Sequence, residues 1–381
     1  MIRQITMKQY KCFVDETVSF KNLTVLSGLN SMGKSSLIDV LLLLRQSYLR
    51  EDGGTPFGLH LNGRYVSLGK GLDILCENGD FDDVLFKIKA DSYQYDGAWE
   101  ANNNQRVLKS KYFDAEKKMT DLQNASLFHD NRDDFLHFTY LNAERIGPRT
   151  MYPIMEDTTE QNDLGIRGEF VSQYLDIVGE KKIPIQGMVL SDAPSHMIRQ
   201  QVQEWLNIIS PGIQIDTNVD MELDTAKLRF SYARSKGKSR NYRPIHVGFG
   251  ITYVLPVILA LLATVQGGMV LLENPEAHLH PRGQTELGRL LARAAANGIQ
   301  VIVETHSDHI INGIRLAVKR NELSKDDVQI NFFSPSVTQP GTCVQSILIN
   351  KNGELDSWPE DFLSEWENNL WKLNFDEGAY L

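Results

Sequence analysis

The sequence predicts an α/β protein with a mixed sheet, its core drawn from both ends of the chain and interrupted by a long α+β insertion. Three observations predict it. A short apolar strand over residues 23–26 runs into a glycine-rich turn and then into an apolar helix. From about residue 245 the chain alternates buried helix, buried strand, helix and strand. Between these ends, short alternating runs and polar turns have the texture of antiparallel strands.

Ile2, Ile5 and Met7 begin one strand, and Val14, Val18 and Phe20 begin the next. The helix after the glycine turn covers 36–48 and stops near Arg50 and the breaker Asp52-Gly53-Gly54. In the middle stretch, 84–88 alternates as a strand and Asn102-Asn103-Asn104 reads as a turn. Helical patterns follow over 169–178 and 195–209, the second closed by Ser210-Pro211-Gly212. No heptad repeat persists, which argues against a long coiled coil. The apolar run 251–272 contains Pro256 and is divided by Gln266-Gly267-Gly268 into a helix-sized and a strand-sized piece. It is too broken to span a membrane, which needs about 20 apolar residues. A strand over 269–272, an amphipathic helix over Pro281–Ala296 closed by Asn297-Gly298, and a strand over 300–303 follow. The expected division is a discontinuous core, 1–54 with 245–350, an insertion over 55–244, and a tail over 351–381.

With 381 residues, 42% of them apolar, the chain has ample material for a core. A formal charge of -10 argues against a globally basic nucleic-acid coat, though not against a local basic patch. Cys12, Cys76 and Cys343 lack metal-ligand spacing and suggest a reducing compartment. The first ten residues lack the apolar segment of a signal peptide, so a soluble, cytoplasmic protein without membrane association is expected.

Gly28-Leu29-Asn30-Ser31-Met32-Gly33-Lys34-Ser35 matches G-x-x-x-x-G-K-[ST]. In such a loop the glycines let backbone N–H groups turn inward around phosphates, and the following helix adds its positive end. Lys34 then reaches the β/γ-phosphates and the Ser35 hydroxyl takes magnesium, with Ser36 beside it. The predicted ligand is a magnesium–nucleoside triphosphate, foremost ATP with Mg2+. Glu273 ends the apolar strand 269–272, the place where P-loop proteins hold magnesium, directly or through water.

Glu273-Asn274-Pro275-Glu276-Ala277-His278-Leu279-His280-Pro281 and Glu304-Thr305-His306-Ser307 complete the pattern. Together with the P-loop they resemble the ABC-type ATPases of the overcoming-lysogenization-defect class, related to recombination-repair and chromosome-maintenance ATPases. The resemblance covers residues 1–50 and 245–310. A tail with Gly353, Trp358-Pro359 and Phe362 resembles a C-terminal domain of unknown function found on one branch of them. The resemblance implies that Glu273 is the magnesium-linked acid and that the next position carries a catalytic glutamate. Here that position is Asn274. An amide cannot accept a proton from water but can orient it, so slow turnover is expected; the other reading is a turn residue before Pro275. Glu276, two residues on, is the candidate displaced base. His306 resembles a switch histidine that senses the γ-phosphate, against the plain reading of a solvent-facing loop histidine. His278 and His280, an i,i+2 pair without further ligands, make a poor zinc site and fit better in a loop facing a partner subunit.

Such ATPases trap nucleotide between two protomers, the second supplying a glycine-rich signature loop. The candidate is Val247-Gly248-Phe249-Gly250-Ile251-Thr252, which lacks the signature serine. Gly248 and Gly250 either approach a partner's γ-phosphate or simply open a helix. Arg145 or Arg149, in a segment where the family brings an arginine near the site, either pairs with a phosphate or forms an ion pair with Glu144. Between Lys227 and Arg243 lie Arg229, Arg234, Lys236, Lys238 and Arg240, with Phe230, Tyr232 and Tyr242 interleaved and no acid. This stretch is either a DNA or RNA contact or a solvated turn.

The leading expectation is a slow ATPase switch that dimerises, or forms a higher oligomer, on nucleotide. It would control a separate effector, nuclease or toxin, in anti-phage defence or DNA maintenance and repair. Relatives often carry a fused toprim nuclease, but only 75 residues follow His306, too few for one. The alternatives are a self-contained nucleic-acid enzyme, which the insertion's lack of a metal-ligand constellation disfavours, and a non-hydrolysing scaffold, which Asn274 keeps open. Asp130, Asp133 and Asp134 read as a hydrated loop. A transporter ATPase fits less well, since such subunits lack an insertion this long.

Overall fold

The computed structural model describes residues 1–48, 58–79, 81–111, 126–129, 131, 135–155, 163–234, 237–336, 341–359 and 362. Its strands and main helices, in chain order, begin with β1 (Ile2–Tyr10), β2 (Phe13–Ser19), β3 (Leu23–Gly28) and α1 (Lys34–Tyr48). The middle stretch holds β4 (Leu59–His60), β5 (Asp83–Ala90), β6 (Gln94–Glu100), β7 (Val107–Leu108), β8 (Leu136–Leu141), β9 (Tyr152–Pro153), α2 (Val171–Val178), α3 (Ile198–Ile209), β10 (Ile213–Asp220), β11 (Thr225–Arg234) and β12 (Gly237–Lys238). The chain returns through α4 (Phe249–Ala263), β13 (Thr264–Glu273), α5 (Pro281–Ala296), β14 (Gln300–Glu304), α6 (Asp308–Lys319), β15 (Val328–Pro335) and β16 (Thr342–Ile347).

A six-stranded sheet, ordered β16-β15-β3-β14-β13-β8, forms the centre. Its strands are parallel except β16, which closes one edge antiparallel. β14 is buried along its whole length and β3 up to Ser27, as expected for parallel strands covered on both faces. The period-2 alternation sends successive side chains to opposite cores. Leu23, Val25, Val270, Leu272, Val301 and Val303 join the core under α2–α6. Leu26, Met269, Leu271 and Ile302 join the other, with α1 and a second, antiparallel sheet ordered β2-β1-β5-β6. All parallel strands therefore end on one edge, where ligands bind in open α/β sheets.

The 55–244 stretch supplies strands to both central sheets: β5 pairs with β1, and β8 runs parallel to β13. What it adds alone, among the described residues, is the small β4–β7 pair and the β10–β11–β12 ribbon, with β9 paired to β11 and α2 and α3 packed nearby. The apolar run 251–272 divides at Ala263/Thr264 rather than at the glycine pair. There the Thr264 hydroxyl donates back to Ala260 O at 2.7 Å and the backbone turns extended. Gly267 and Gly268 instead mark a slip in the β13–β8 register. The start of the tail folds onto α6 and β15: Arg315 of α6 donates to Gly353 O at 2.7 Å, and Phe362 stacks edge-on against Phe332 of β15. No helix among the described residues is long and apolar enough to cross a membrane.

Candidate functional site

Two glycines fix the phosphate loop for steric reasons. Gly28 ends β3 at φ +131, where a Cβ would lie 2.2 Å from the Phe333 carbonyl of β15. Gly33 has φ +87, and a Cβ there would lie 2.5 Å from Cys12 Sγ and 2.6 Å from Phe13 Cζ. Both positions demand glycine for conformation and for space. Ser31, between them, is also left-handed at φ 64. Helix α1 begins at Lys34, two residues earlier than the sequence suggests, so Lys34, Ser35 and Ser36 lie in its first turn and their N–H groups face the loop. Asn30, Ser31 and Ser35 are exposed, and Ser36 is half-buried.

Lys34 is only 4% exposed. Its Nζ folds back over the loop, donating to Gly28 O at 3.0 Å and Leu29 O at 2.8 Å. Burial holds its pKa below the usual lysine value, with Glu304 opposing that shift. The Ser35 hydroxyl donates to Glu304 Oε2 at 3.2 Å. Glu304 ends β14 and is in register with Glu273 at the end of β13, so two carboxylates lie side by side at the mouth of the loop. Burial, and then the neighbouring Glu273, push the Glu304 carboxyl up to about 7. Burial also raises Glu273, but the Tyr140 hydroxyl opposes this by donating to its Oε1 at 2.8 Å.

Past Glu273 the chain turns sharply. Asn274 adopts φ 43, a left-handed conformation that asparagine tolerates better than glutamate. Its N–H donates to Glu304 O at 2.9 Å, while its Oδ1 is buried without a partner. Glu276 Oε1 accepts from the Thr305 hydroxyl at 2.7 Å and from His306 N at 3.2 Å; its Oε2 is buried and unpaired. Glu276 thereby ties the loop after β13 to the loop after β14. Burial, and then the Lys34 charge, hold the His306 imidazole below its ordinary pKa. His280 caps α5, its Nδ1 accepting from Arg282 N at 3.3 Å.

Arg145 does not pair with Glu144, whose carboxylate instead takes Arg167 at 3.0 Å. The reason is direction: Arg145 points inward and is 1% exposed, donating to Glu273 O at 2.8 Å, to Asn142 O at 3.1 Å and to Asn274 O. Arg149 is exposed. Gly250 packs under the loop after Asn274, where a Cβ would lie 2.4 Å from His278 O; a Cβ at Gly248 would meet nothing within 4 Å. Thus Gly28, Gly33, Lys34, Ser35, Glu273, Asn274, Glu276 and His306 gather at one sheet edge, and Gly250 abuts their loop through His278.

In the sequence Glu304 stands in the Glu304-Thr305-His306-Ser307 run without an assigned role. Its signal was its place at the end of a fully buried strand, where an acid has a reason to be. The basic stretch is a ribbon backed by acids: Lys227 lies 3.6 Å from Asp220, and Arg229 faces Asp216 in register. Arg240 stacks over Tyr242, which packs against Tyr232. Asp130, Asp133, Asp134, Lys236 and the Arg234 side chain lie outside the described residues.

The site suits a magnesium–nucleoside triphosphate. The loop is closed by glycines that admit no Cβ, a buried lysine spans it, and a hydroxyl meets a carboxylate beneath it. Among the described residues no group of three or more His, Cys, Asp and Glu can hold a metal. That is compatible with magnesium, which takes one or two carboxylates and completes its shell with phosphate oxygens and water.

The family described as "AAA domain, putative AbiEii toxin, Type IV TA system" matches residues 23–312, and a "Protein of unknown function (DUF3696)" matches 323–373. No curated protein matches the chain. An SmcHead crystallised with the C-winged helix domain of ScpA is 13% identical and has a TM-score of 0.51, over 92% of this chain and 98% of its own. An Smc head domain with an extended coiled coil, bound to the C-terminal domain of ScpA derived from Pyrococcus furiosus, is 10% identical with a TM-score of 0.51, over 98% and 99%. At these identities the likeness shows the fold alone, an α/β head with a mixed sheet. With residues 23–312 inside the one family, the chain belongs to these AAA-domain P-loop ATPases and carries a DUF3696 segment behind the ATPase fold.

Proposed function

We propose that this chain is an ATP-driven switch of the overcoming-lysogenization-defect class. On this reading it binds ATP with magnesium, hydrolyses it slowly, pairs with a second copy on nucleotide and controls a separate effector, a nuclease or toxin, in phage defence or DNA maintenance. The observation that carries it is the pairing of Ser35 with Glu304, beside Glu273 and under Lys34, next to an amide at Asn274. Lys34, Ser35, Glu273 and Glu304 would hold the triphosphate and its metal. The bound ion would neutralise phosphate charge.

Slow turnover follows from the proton acceptors present. The Asn274 amide can orient water but takes no proton. Glu276 is a carboxylate, but Thr305 and His306 engage one of its oxygens, so it serves first as a brace. Phe249, 56% accessible, and Gly248, where a Cβ would meet nothing within 4 Å, leave open a surface that a second copy would cover on this reading. The partner's domain on the similar SmcHead supports an effector that docks on the head.

The test is steady-state turnover of wild type, Asn274→Glu and Glu276→Ala, with mass measured with and without ATP. A restrained switch gains about a hundredfold in kcat in Asn274→Glu, the low end of what a general base supplies. Wild type that neither binds nor turns over ATP would overturn the reading.

A further inference from the structure

Arg145 stands out among the buried groups. Its guanidinium is all but removed from water, yet no carboxylate among the described residues lies within ion-pair distance. A charge buried without a counter-ion costs several kcal/mol unless its hydrogen bonds compensate. Its three hydrogen bonds all go to backbone carbonyls, and two of these, Glu273 O and Asn274 O, belong to the turn that carries the left-handed Asn274. Burial pulls its pKa down to about 10, with Glu276 the largest opposing charge. Four buried polar atoms without partners belong to residues about this turn: Asn142 Oδ1, Arg145 Nε, Asn274 Oδ1 and Glu276 Oε2.

The other side of the guanidinium meets α4. Arg145 Cζ lies 5.8 Å from the centre of the Tyr253 ring. Tyr253 packs edge-on against His278 at 4.8 Å, and Phe249 lies 5.7 Å from the same imidazole. His278 is left-handed at φ 63, and its carbonyl closes on Gly250. An unbroken set of contacts therefore runs from Asn274 through Arg145 and Tyr253 to His278 and Phe249 on the surface.

We propose that Arg145 is a positioning residue that locks the turn Glu273–Asn274 to the surface cluster Phe249, Tyr253 and His278, so that a displacement of the cluster is felt at Asn274. Its effect on turnover rests on the ATPase reading above; the mechanical link does not. Only a planar fork can bridge the two successive carbonyls while stacking on a ring, so lysine is not equivalent here.

The test compares wild type, Arg145→Lys and Tyr253→Leu by ATP affinity, steady-state kinetics and amide hydrogen exchange over 273–280. Both variants should keep ATP affinity and KM within about threefold while kcat falls about tenfold or more, the split expected when geometry in the reacting state is lost. Exchange over 273–280 should quicken about tenfold as the turn loosens. If Arg145→Lys does not fold, Tyr253→Leu carries the test alone. Unchanged kcat and exchange in a folded Tyr253→Leu protein would overturn the proposal. If wild type neither binds nor hydrolyses ATP, the ATPase reading fails while the exchange comparison still decides the link: faster exchange supports it and unchanged exchange refutes it.

Discussion

The Glu304 carboxylate accepts a hydrogen bond from the Ser35 hydroxyl at 3.2 Å, and its neighbour in register on the next strand is Glu273. The relationship follows from strand order. Because β14 lies between β3 and β13, its last residue is held between the phosphate loop and the second acid.

That placement makes stability depend on pH. The folded Glu304 carboxyl titrates at about 7 because it is buried beside Glu273, whereas an unfolded glutamate titrates near about 4.3. Between those values the folded chain keeps a proton that the unfolded chain has lost. The contribution is full below the unfolded value and is lost as pH rises toward about 7. The gap corresponds to about 4 kcal/mol. Nucleotide-free wild type should lose stability in urea between about pH 5 and pH 7.5, and Glu304→Gln should flatten the slope. A slope equally steep in the variant would refute the assignment to Glu304.

Gly33→Ala tests the loop itself. The new methyl would meet Cys12 Sγ and the Phe13 ring, and φ +87 disfavours any side chain. Moving a packed aromatic and straining the backbone should cost about 1–3 kcal/mol. We expect a lower melting temperature and loss of detectable ATP binding in calorimetry. An affinity equal to wild type would show that the loop does not hold the phosphates.

Tyr140→Phe removes one hydroxyl and little volume. The hydroxyl donates to Glu273 and opposes the upward pull of burial on that carboxyl. Losing a hydrogen bond to a charged group costs about 1.5–3 kcal/mol. Magnesium affinity in the presence of ATP should fall about tenfold or more, with the effect largest at low pH, where an unsupported Glu273 protonates. Equal magnesium titrations in the two proteins would leave Tyr140 without a role at the site.

The glycine loop, the strand before it and the helix after it were readable because their periods and breakers are local. Pro281–Ala296 was readable to the residue, since His280, Pro281 and Asn297-Gly298 mark both ends. The roles of β5 and β8 were not. Both strands alternate like surface strands, and only their pairing with β1 and β13 places them in the central sheets. Arg145 was legible as a candidate but not in its partners. Glu144 lies next to it in sequence, yet the backbone sends the two side chains apart, and two of the three carbonyls that Arg145 holds lie more than a hundred residues away.

The basic ribbon gives a last prediction. Along β10 and β11, Lys227 lies 3.6 Å from Asp220 and Arg229 stands opposite Asp216 in register, so an acid stands beside each cation. Among the described residues of the stretch Arg243 is exposed as well, and beside the Tyr232–Tyr242 stacking surface the outward charge is at Lys238 and Arg240, both exposed. A single strand that tracked these two cations would release counterions on binding. Removing both cations should then shrink the salt slope of log K by about 1.4. The measurement is fluorescence anisotropy of a labelled oligonucleotide against wild type and Lys238→Ala/Arg240→Ala over a salt series, with ATP and magnesium present. Replacing Tyr242 by alanine should weaken binding by about 1–3 kcal/mol without altering that slope, because stacking moves no ions. Lys227→Ala and Arg229→Ala should leave the slope almost unchanged, since acids already face both cations. If all these variants bind like wild type, the ribbon is a solvated turn and nucleic acid does not meet the protein there.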